Sequence, residues 1–168
     1  MANLTYPLTQ VLEIKIRRVE DAEKVVQEKQ RLLKEEEEKL RQKEEERNKV
    51  KTHRMDKLNQ LRDELDTGTT TDKIQQMKVY LKVVDERLKV EEQKVANQKE
   101  QVKIAEHNLE MAKEALRLKR IEVDKLETHR EDWMREALIE QEKEEEKEMD
   151  EIGNVIYTLH MREKKQRQ

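Results

Sequence analysis

Histidines and carboxylates are the side chains of this sequence best suited to catalysis or metal binding, and their spacing assembles no recognisable site. His53, His107, His129 and His160 are far apart, and none forms an HxxxH, HExxH or ExxH pattern. This spacing disfavours zinc and di-iron sites. Carboxylates are abundant, but exposed helix faces offer no dry pocket for acid–base catalysis. Because cysteine is absent and the two glycines are isolated, neither a thiolate nor a glycine-rich phosphate loop is available. We therefore expect no enzymatic activity, no metal and no cofactor.

The composition argues against a large compact core. Of 168 residues, 46% are charged, 33% are hydrophobic and 2% are aromatic, whereas a globular domain is nearly half apolar. The net charge is only −3, and the two signs are interspersed, which is typical of a solvated helix surface rather than a nucleic-acid interface. The N-terminus lacks a signal-peptide pattern, and no segment approaches about 18 consecutive apolar residues. We expect a cytoplasmic protein without a membrane span or a nucleic-acid partner.

Apolar residues recur every seven positions in the second half of the chain. Arg130 alone interrupts the ladder Ile74, Leu81, Leu88, Val95, Val102, Leu109, Leu116, Val123, Arg130, Ala137. A second, more polar ladder begins three residues later at Met77. A repeat held over about nine heptads predicts one long helix with a narrow apolar seam. Such a helix needs a partner because its apolar surface is only a stripe.

The first half of the chain supplies a matching helix. The seven-residue spacing returns in Leu12, Val19, Val26, Leu33 and Leu40. The clear break before residue 150 is residues 66–72, where Gly68 can adopt the left-handed conformation that ends a helix. A connection this short favours an antiparallel hairpin. We predict an all-α fold, in which two long helices form an antiparallel coiled-coil hairpin, helix 2 is longer than helix 1, and the chain is monomeric.

The predicted organisation is a single elongated hairpin over residues 1–168. Helix 1 spans about residues 6–66, the turn 67–71 and helix 2 about 72–150. A turn centred between Thr69 and Thr70 places Tyr6 opposite Trp133. In the tail, residues 151–168, Gly153 favours a kink or fraying. The apolar face of this tail is either a partner-binding segment or a disordered end.

Polar residues interrupt the seams at intervals. These positions are Arg47, Arg54, Glu91, Gln98, Lys119 and Arg130. Polar seam residues cost stability in coiled coils but fix the register. Register control and a functional role for these charges both remain open.

Apolar residues outside the seams concentrate in two zones. Near the turn, Val79, Tyr80, Val83 and Val90 lie beside the seam residues Met77, Leu81 and Val84. Near the open end, the zone contains Tyr6, Leu8, Val11, Ile16, Val25, Leu126, Trp133, Met134, Leu138 and Ile139. Both zones could thicken the seam, with Trp133 capping the end of the hairpin. Alternatively, they are two docking sites at opposite ends of a rod.

Several stretches of the chain resemble a known family. They are Tyr-Pro-Leu-Thr-Gln-Val-Leu-Glu-Ile-Lys at 6–15, the stretch at 18–26, the hairpin region at 66–71, the stretch at 77–84, and Glu-Asp-Trp-Met-Arg-Glu-Ala at 131–137. Over nearly its whole length the chain resembles the YscO/FliJ-type stalk proteins of type III secretion and flagellar export.

This resemblance implies a function at the cytoplasmic face of the inner-membrane secretion apparatus. Family members resemble the central stalk of rotary ATPases: the open end of the hairpin enters the ring of the secretion ATPase and stimulates it. The other end reaches the export gate, and some members bind secretion chaperones. Carried over, the ATPase-binding residues are Leu8, Val11, Ile16, Trp133 and Met134. The gate-binding residues are Met77, Val79, Tyr80, Leu81, Val83 and Val84.

Two other functions are compatible with the pattern. A homodimeric coiled-coil spacer would pair two chains through the same seams, and its oligomeric mass would distinguish it from a monomeric hairpin. A helical-hairpin chaperone would grip unfolded clients and show holdase activity without an ATPase partner.

Overall fold

Two long helices make up almost all of the structure. The computed structural model describes residues 5–166, which contain α1 (Thr9–Thr67) and α2 (Thr71–Gln166) and no β-strand. The helices pack against each other in antiparallel order, with Tyr6 against Trp133 and Arg54 against Asp85. The predicted all-α hairpin is confirmed, including the greater length of α2, which has 96 residues against 59 in α1.

A hydrogen-bonded turn immediately precedes α1. The backbone N–H of Thr9 donates to the carbonyl of Tyr6 at 3.2 Å, and the Thr9 hydroxyl donates to the same oxygen at 2.6 Å. The first helical bond joins the N–H of Leu12 to the carbonyl of Leu8 at 2.9 Å. Because Thr9 closes the chain into a turn at Tyr6, the helix begins at Thr9 rather than near residue 6.

Gly68 ends α1 as the sequence indicates. Its φ is +82°, a conformation that glycine adopts without the Cβ penalty of other residues. The N–H of Ile74 then donates to the carbonyl of Thr70 at 3.2 Å, and Asp72 lies in the first turn of α2, where a carboxylate complements the helix dipole. Lys73 pairs with Glu64 at 2.8 Å across the turn.

The C-terminal segment is helical. α2 runs through Gly153 without interruption to Gln166, past the position where glycine favours a kink or fraying. An isolated glycine costs a helix only about 1 kcal/mol relative to alanine, which the neighbouring residues can offset. All side chains of residues 142–166 are exposed. The assignment of residues 1–168 to a single elongated hairpin stays a prediction.

The described part of the chain divides into two compact units. The terminal unit contains residues up to Glu20 together with those from Arg117 onward, and the central unit is Asp21–Leu116. In the terminal unit, Tyr6 and Leu12 are the buried apolar residues. The central unit has a narrow aliphatic core: Val26, Val50, Leu61, Val84, Val95, Val102, Leu109, Ala112 and Leu116. Within residues 5–166, neither helix has a stretch long and apolar enough to cross a membrane.

Candidate interaction surfaces

An aromatic cluster anchors the terminal unit. Tyr6 is only 5% exposed, and its ring lies edge-on to Trp133 with centroids 5.7 Å apart. The Tyr6 hydroxyl hydrogen-bonds Nδ1 of His129 at 2.7 Å, and these two rings are also 5.7 Å apart. The predicted pairing of Tyr6 with Trp133 is therefore present. The cluster fixes the first residues of the fold against α2 before α1 begins.

Three predicted ATPase-binding residues are exposed on α1 or just before it. Leu8, Val11 and Ile16 all present apolar surface to solvent, whereas Trp133 and Met134 are half-buried. Next to Ile16, Lys15 pairs with Glu122 on α2 at 2.6 Å, and this hydrogen bond lowers the pKa of the Glu122 carboxyl below its ordinary value. We call Leu8, Val11, Ile16, Trp133 and Met134 the terminal surface. Its exposed residues lie in a region that is held in place by the ring contacts of Tyr6 and by the ion pair between Lys15 and Glu122.

The predicted gate-binding residues are exposed to different degrees. Val79, Tyr80 and Val83 are exposed, Met77 and Leu81 are half-buried, and Val84 belongs to the core. A partner can contact the first three directly, while Val84 supports them from below. We call this set of six residues, Met77, Val79, Tyr80, Leu81, Val83 and Val84, the turn-side surface.

Tyr80 is held by two residues of α1 that the sequence analysis did not identify. Its hydroxyl hydrogen-bonds Nε2 of His53 at 2.8 Å, and the two rings are nearly perpendicular with centroids 5.9 Å apart. Nζ of Lys57 lies 5.8 Å from the Tyr80 ring centroid, a cation–π distance. In the predicted register Tyr80 lies opposite Asn59, six residues from His53, so pairing directly opposite positions does not indicate this cluster.

A shallow groove runs beside Tyr80. It has a volume of about 280 Å³ and is lined by Lys57, Gln60, Lys73, Gln76, Met77 and Tyr80. The turn-side surface therefore presents exposed valines and an oriented tyrosine, and Lys57 and Lys73 lie beside it in the groove. Tyrosine is among the residues that most often dominate binding energy at protein interfaces.

Two of the four polar seam residues of the central unit, Arg54 and Gln98, make contacts between the helices. Gln98 is buried; its amide oxygen accepts a hydrogen bond from Nζ of Lys43 at 3.1 Å, and its amide nitrogen donates to the carbonyl of Glu36 at 3.1 Å. Arg54 forms an ion pair with Asp85. These contacts cross from α1 to α2, as register-fixing residues must. The pKa of the Glu36 carboxyl is lowered, first by Lys39 and then by Gln98.

Arg47 bonds within its own helix, to the side-chain oxygen of Asn48 at 3.1 Å. Glu91 also bonds within its own helix. Its side chain lies in the core, and Oε1 accepts a hydrogen bond from Lys94 at 3.0 Å. Oε2 is buried and has no hydrogen-bond partner within residues 5–166. A buried oxygen without a partner costs stability. Glu91 is thus a weak point of an otherwise matched seam.

Metal-binding chemistry is not assembled in the described part of the chain. No three of its histidines, aspartates and glutamates come together in a way that could hold a metal ion. His53 and His129 instead bond tyrosine hydroxyls.

The exposed face of the C-terminal segment combines acidic and apolar residues. Glu142, Glu145, Glu146 and Asp150 surround Met149, and Ile152, Ile156 and Leu159 continue the apolar face.

Comparisons with known proteins agree with this architecture. The family described as YscO-like protein matches residues 3–163. The chain is similar to a YscO homolog, CT670 from Chlamydia trachomatis, with 52% identity and a TM-score of 0.91 over 95% of this chain and 98% of that one. It is also similar to a chain in the Chlamydia pneumoniae CdsV and CdsO complex, with 57% identity and a TM-score of 0.48 over 50% of this chain and 98% of that one. The comparison with curated proteins found no match. Because the family match spans nearly the whole sequence, this chain belongs to the YscO-like family.

Proposed function

We propose that this protein is a non-enzymatic stalk that couples the ATPase of a type III secretion system to its export gate. The YscO-like family is a structural component of type III secretion. The observation that carries the proposal is the presence of two apolar surfaces, one in each unit. At the first, Tyr6 packs against Trp133; at the second, His53 and Lys57 of α1 hold Tyr80. A coupling protein needs two such surfaces, because it must bind two partners.

The terminal surface is proposed to bind the secretion ATPase. Leu8, Val11 and Ile16 are exposed apolar side chains, and burying each of them at an interface would stabilise the complex by roughly 1 kcal/mol. Tyr6 and Trp133 hold this part of the chain in place, so little ordering is required on binding. Pre-organisation of this kind increases affinity without additional contacts.

The turn-side surface is proposed to bind the export gate. Tyr80 is already oriented by His53 and Lys57, and Val79 and Val83 lie one helical turn apart beside it. A partner with an apolar pocket and an acidic rim would match the tyrosine, the valines and the neighbouring lysines. Binding at both surfaces would place the protein at the cytoplasmic face of the inner-membrane apparatus. Secretion chaperones are further candidate partners of the same stalk.

ATP hydrolysis by the cognate secretion ATPase tests the first half of this proposal. We expect the wild-type protein to stimulate hydrolysis, and a Val11→Asp, Ile16→Asp variant to lose that stimulation, because the substitutions place charge in an apolar interface. Val25→Asp is the matched control, since Val25 is equally apolar and exposed on α1 but lies in the central unit and is not a member of the terminal surface. Circular dichroism must show the same helix content in all three proteins. If the wild type neither stimulates the ATPase nor co-elutes with it, the coupling proposal fails.

A further inference from the structure

A second apolar ladder runs along the outer side of α2 in the central unit. Val83, Val90, Asn97, Ile104 and Met111 are spaced by seven residues. The four apolar members, Val83, Val90, Ile104 and Met111, are 60%, 54%, 52% and 60% exposed, whereas the core ladder of Val95, Val102 and Leu109 is buried. Residues seven apart return to nearly the same helix face. We call this set the outer stripe.

The outer stripe is not explained by the packing of α2 on α1. The solvent face of an amphipathic helix is normally polar, and single exposed apolar residues are usually scattered. In the central unit, the large exposed apolar residues of α1 are Val25, Met55 and Leu65, which follow no seven-residue spacing. The regular spacing on α2 alone is typical of a seam for another helix.

Charged residues flank the stripe with opposite signs. Residues four positions after stripe members form one flank, which includes Arg87 and Lys94. Residues three positions after them form the other flank, which includes Glu86 and Glu100. A partner helix that fits this stripe therefore carries acidic residues on one side of its own apolar row and basic residues on the other.

We propose that the partner is a second copy of this chain, with the two outer stripes parallel and related by a two-fold axis along α2. In this arrangement the basic flank of each copy faces the acidic flank of the other. Arg87 of one copy lies beside Glu86 of the second copy, and the pair occurs twice. The antiparallel arrangement gives no such pair, because it places Arg87 beside Asn108 and Glu86 beside His107.

Asn97 also favours identical partners in register. A single asparagine within an apolar coiled-coil row fixes register and oligomeric state at a cost in stability. In the parallel pair, the Asn97 amides of the two copies face each other and can exchange hydrogen bonds. The same amide already accepts a hydrogen bond from Gln93 at 2.8 Å, which orients it along the stripe.

The size of the stripe makes the pairing weak. It offers one apolar side chain per heptad, half of an ordinary coiled-coil seam, and so buries less than the roughly 1,200 Å² of stable complexes. Exposed pairs within α2, such as Glu86 with Lys89 at 3.1 Å, compete only slightly with contacts between copies. The protein is therefore monomeric when dilute and pairs reversibly when concentrated. This inference goes beyond the proposed function and does not depend on it.

Cysteine cross-linking tests the arrangement directly, because the chain has no cysteine of its own. Under oxidising conditions at high protein concentration, Val90→Cys and Ile104→Cys should each form disulfide-linked dimers with themselves. Ala96→Cys, exposed about 100° around α2 from the stripe, is the matched control and should not. A mixture of the Val90→Cys and Ile104→Cys proteins should give no mixed disulfide beyond chance. Predominant mixed disulfides would establish the antiparallel arrangement and overturn the proposal, as would stripe cysteines that cross-link no faster than the control.

Sedimentation equilibrium provides the second test. The wild-type mass should rise with concentration from 20.4 kDa toward twice that value. Ile104→Glu together with Met111→Glu should weaken association at least about tenfold, and Asn97→Ile should strengthen it about tenfold, since an apolar residue replaces the costly asparagine. All variants should keep their helix content, because the replaced side chains are exposed. A wild-type mass that stays at 20.4 kDa at every concentration, or glutamate variants that associate as well as the wild type, would refute the pairing.

Discussion

The terminal unit and the central unit hold α2 against α1 with different chemistry. In the terminal unit, Tyr6 contacts both Trp133 and His129, so a large share of the packing depends on one side chain. In the central unit, many small aliphatic contacts alternate with polar ones such as those of Gln98. Stability is therefore concentrated in one unit and distributed in the other.

The aromatic residues lie close to the two proposed partner surfaces. The chain has one tryptophan and three tyrosines, and Tyr6, Trp133 and Tyr80 all take part in ring contacts beside the two proposed partner surfaces. Aliphatic heptads are sufficient to join two helices. The aromatic residues therefore do more than join the helices: they fix the positions of side chains in both proposed surfaces.

The largest effect should come from removing the anchor of the terminal unit. Tyr6→Ala should destabilise that unit by about 3 kcal/mol, because it deletes a buried ring and its hydrogen bond. Hydrogen exchange of residues 9–20 should accelerate while the central unit keeps its protection. Tyr6→Phe, the matched control, should cost about 1 kcal/mol because it removes only the hydroxyl. Equal acceleration in both units would contradict the concentration of stability at Tyr6.

Two substitutions in the seam of the central unit should have opposite signs. Glu91→Leu should stabilise the protein by about 1.5 kcal/mol, because it replaces a buried carboxylate with an unpartnered oxygen by an apolar side chain. Gln98→Leu should destabilise it by a similar amount, because the Glu36 carbonyl and Lys43 lose their partner. Urea unfolding monitored by circular dichroism measures both. Stabilisation by both substitutions would show that Gln98 contributes no more than Glu91.

The two glycines allow a matched test with one replacement in each unit. Gly68→Ala should destabilise the turn by about 1 kcal/mol, because alanine pays for the positive φ, although an added Cβ meets no atom within 4 Å. Gly153→Ala should instead increase the stability of the C-terminal part of α2 by about 1 kcal/mol. Thermal unfolding and hydrogen exchange near each site provide the readouts. The same sign at both positions would be inconsistent with the two backbone conformations.

Acid should produce the smallest effect, mostly in the central unit. The pKa values of Glu28, Glu38 and Glu64 lie below the ordinary value of 4.5, owing first to hydrogen bonds from Arg31, Arg41 and Lys73. Because these folded-state values are lowered, the stabilisation is present above pH 4.5 and is lost as pH falls through the folded values. Melting temperatures should decrease as the pH falls below the ordinary carboxyl pKa of 4.5, because protonation removes these ion pairs, and the decrease should be smaller in high salt. An unchanged melting temperature after Glu38→Gln at neutral pH would show that this exposed pair contributes nothing measurable.

Heptad spacing was enough to predict the hairpin, and its limits are physical. Only one face of α2 can pack against α1, since rotating the helix would expose the whole row of apolar residues in its core ladder. Gly68 could be predicted as the end of α1, because glycine adopts the positive φ found there more easily than other residues do. The first residue of α1 was not, because a turn closed by Thr9 differs from another helical turn by little free energy.

Surface features were harder to derive from the sequence than the core. Val83 and Val90 stood out near the turn, but Ile104 and Met111 extend the same row only once their exposure on α2 is known. The contact of His53 with Tyr80 joins positions that are six residues out of the paired register, so it depends on the length of the two side chains. Periodicity identifies the face of a residue, whereas side-chain reach decides which neighbour it contacts.

The most direct test of the two-surface account is the binding of both partners to two variants. We would measure, by isothermal titration calorimetry, the cognate secretion ATPase and the export gate protein against the wild type, Val11→Asp with Ile16→Asp, and Val79→Asp with Val83→Asp. The account predicts that the first variant loses only the ATPase and the second loses only the export gate protein. Loss of both partners by either variant that remains helical, or retention of both by each, would contradict the account.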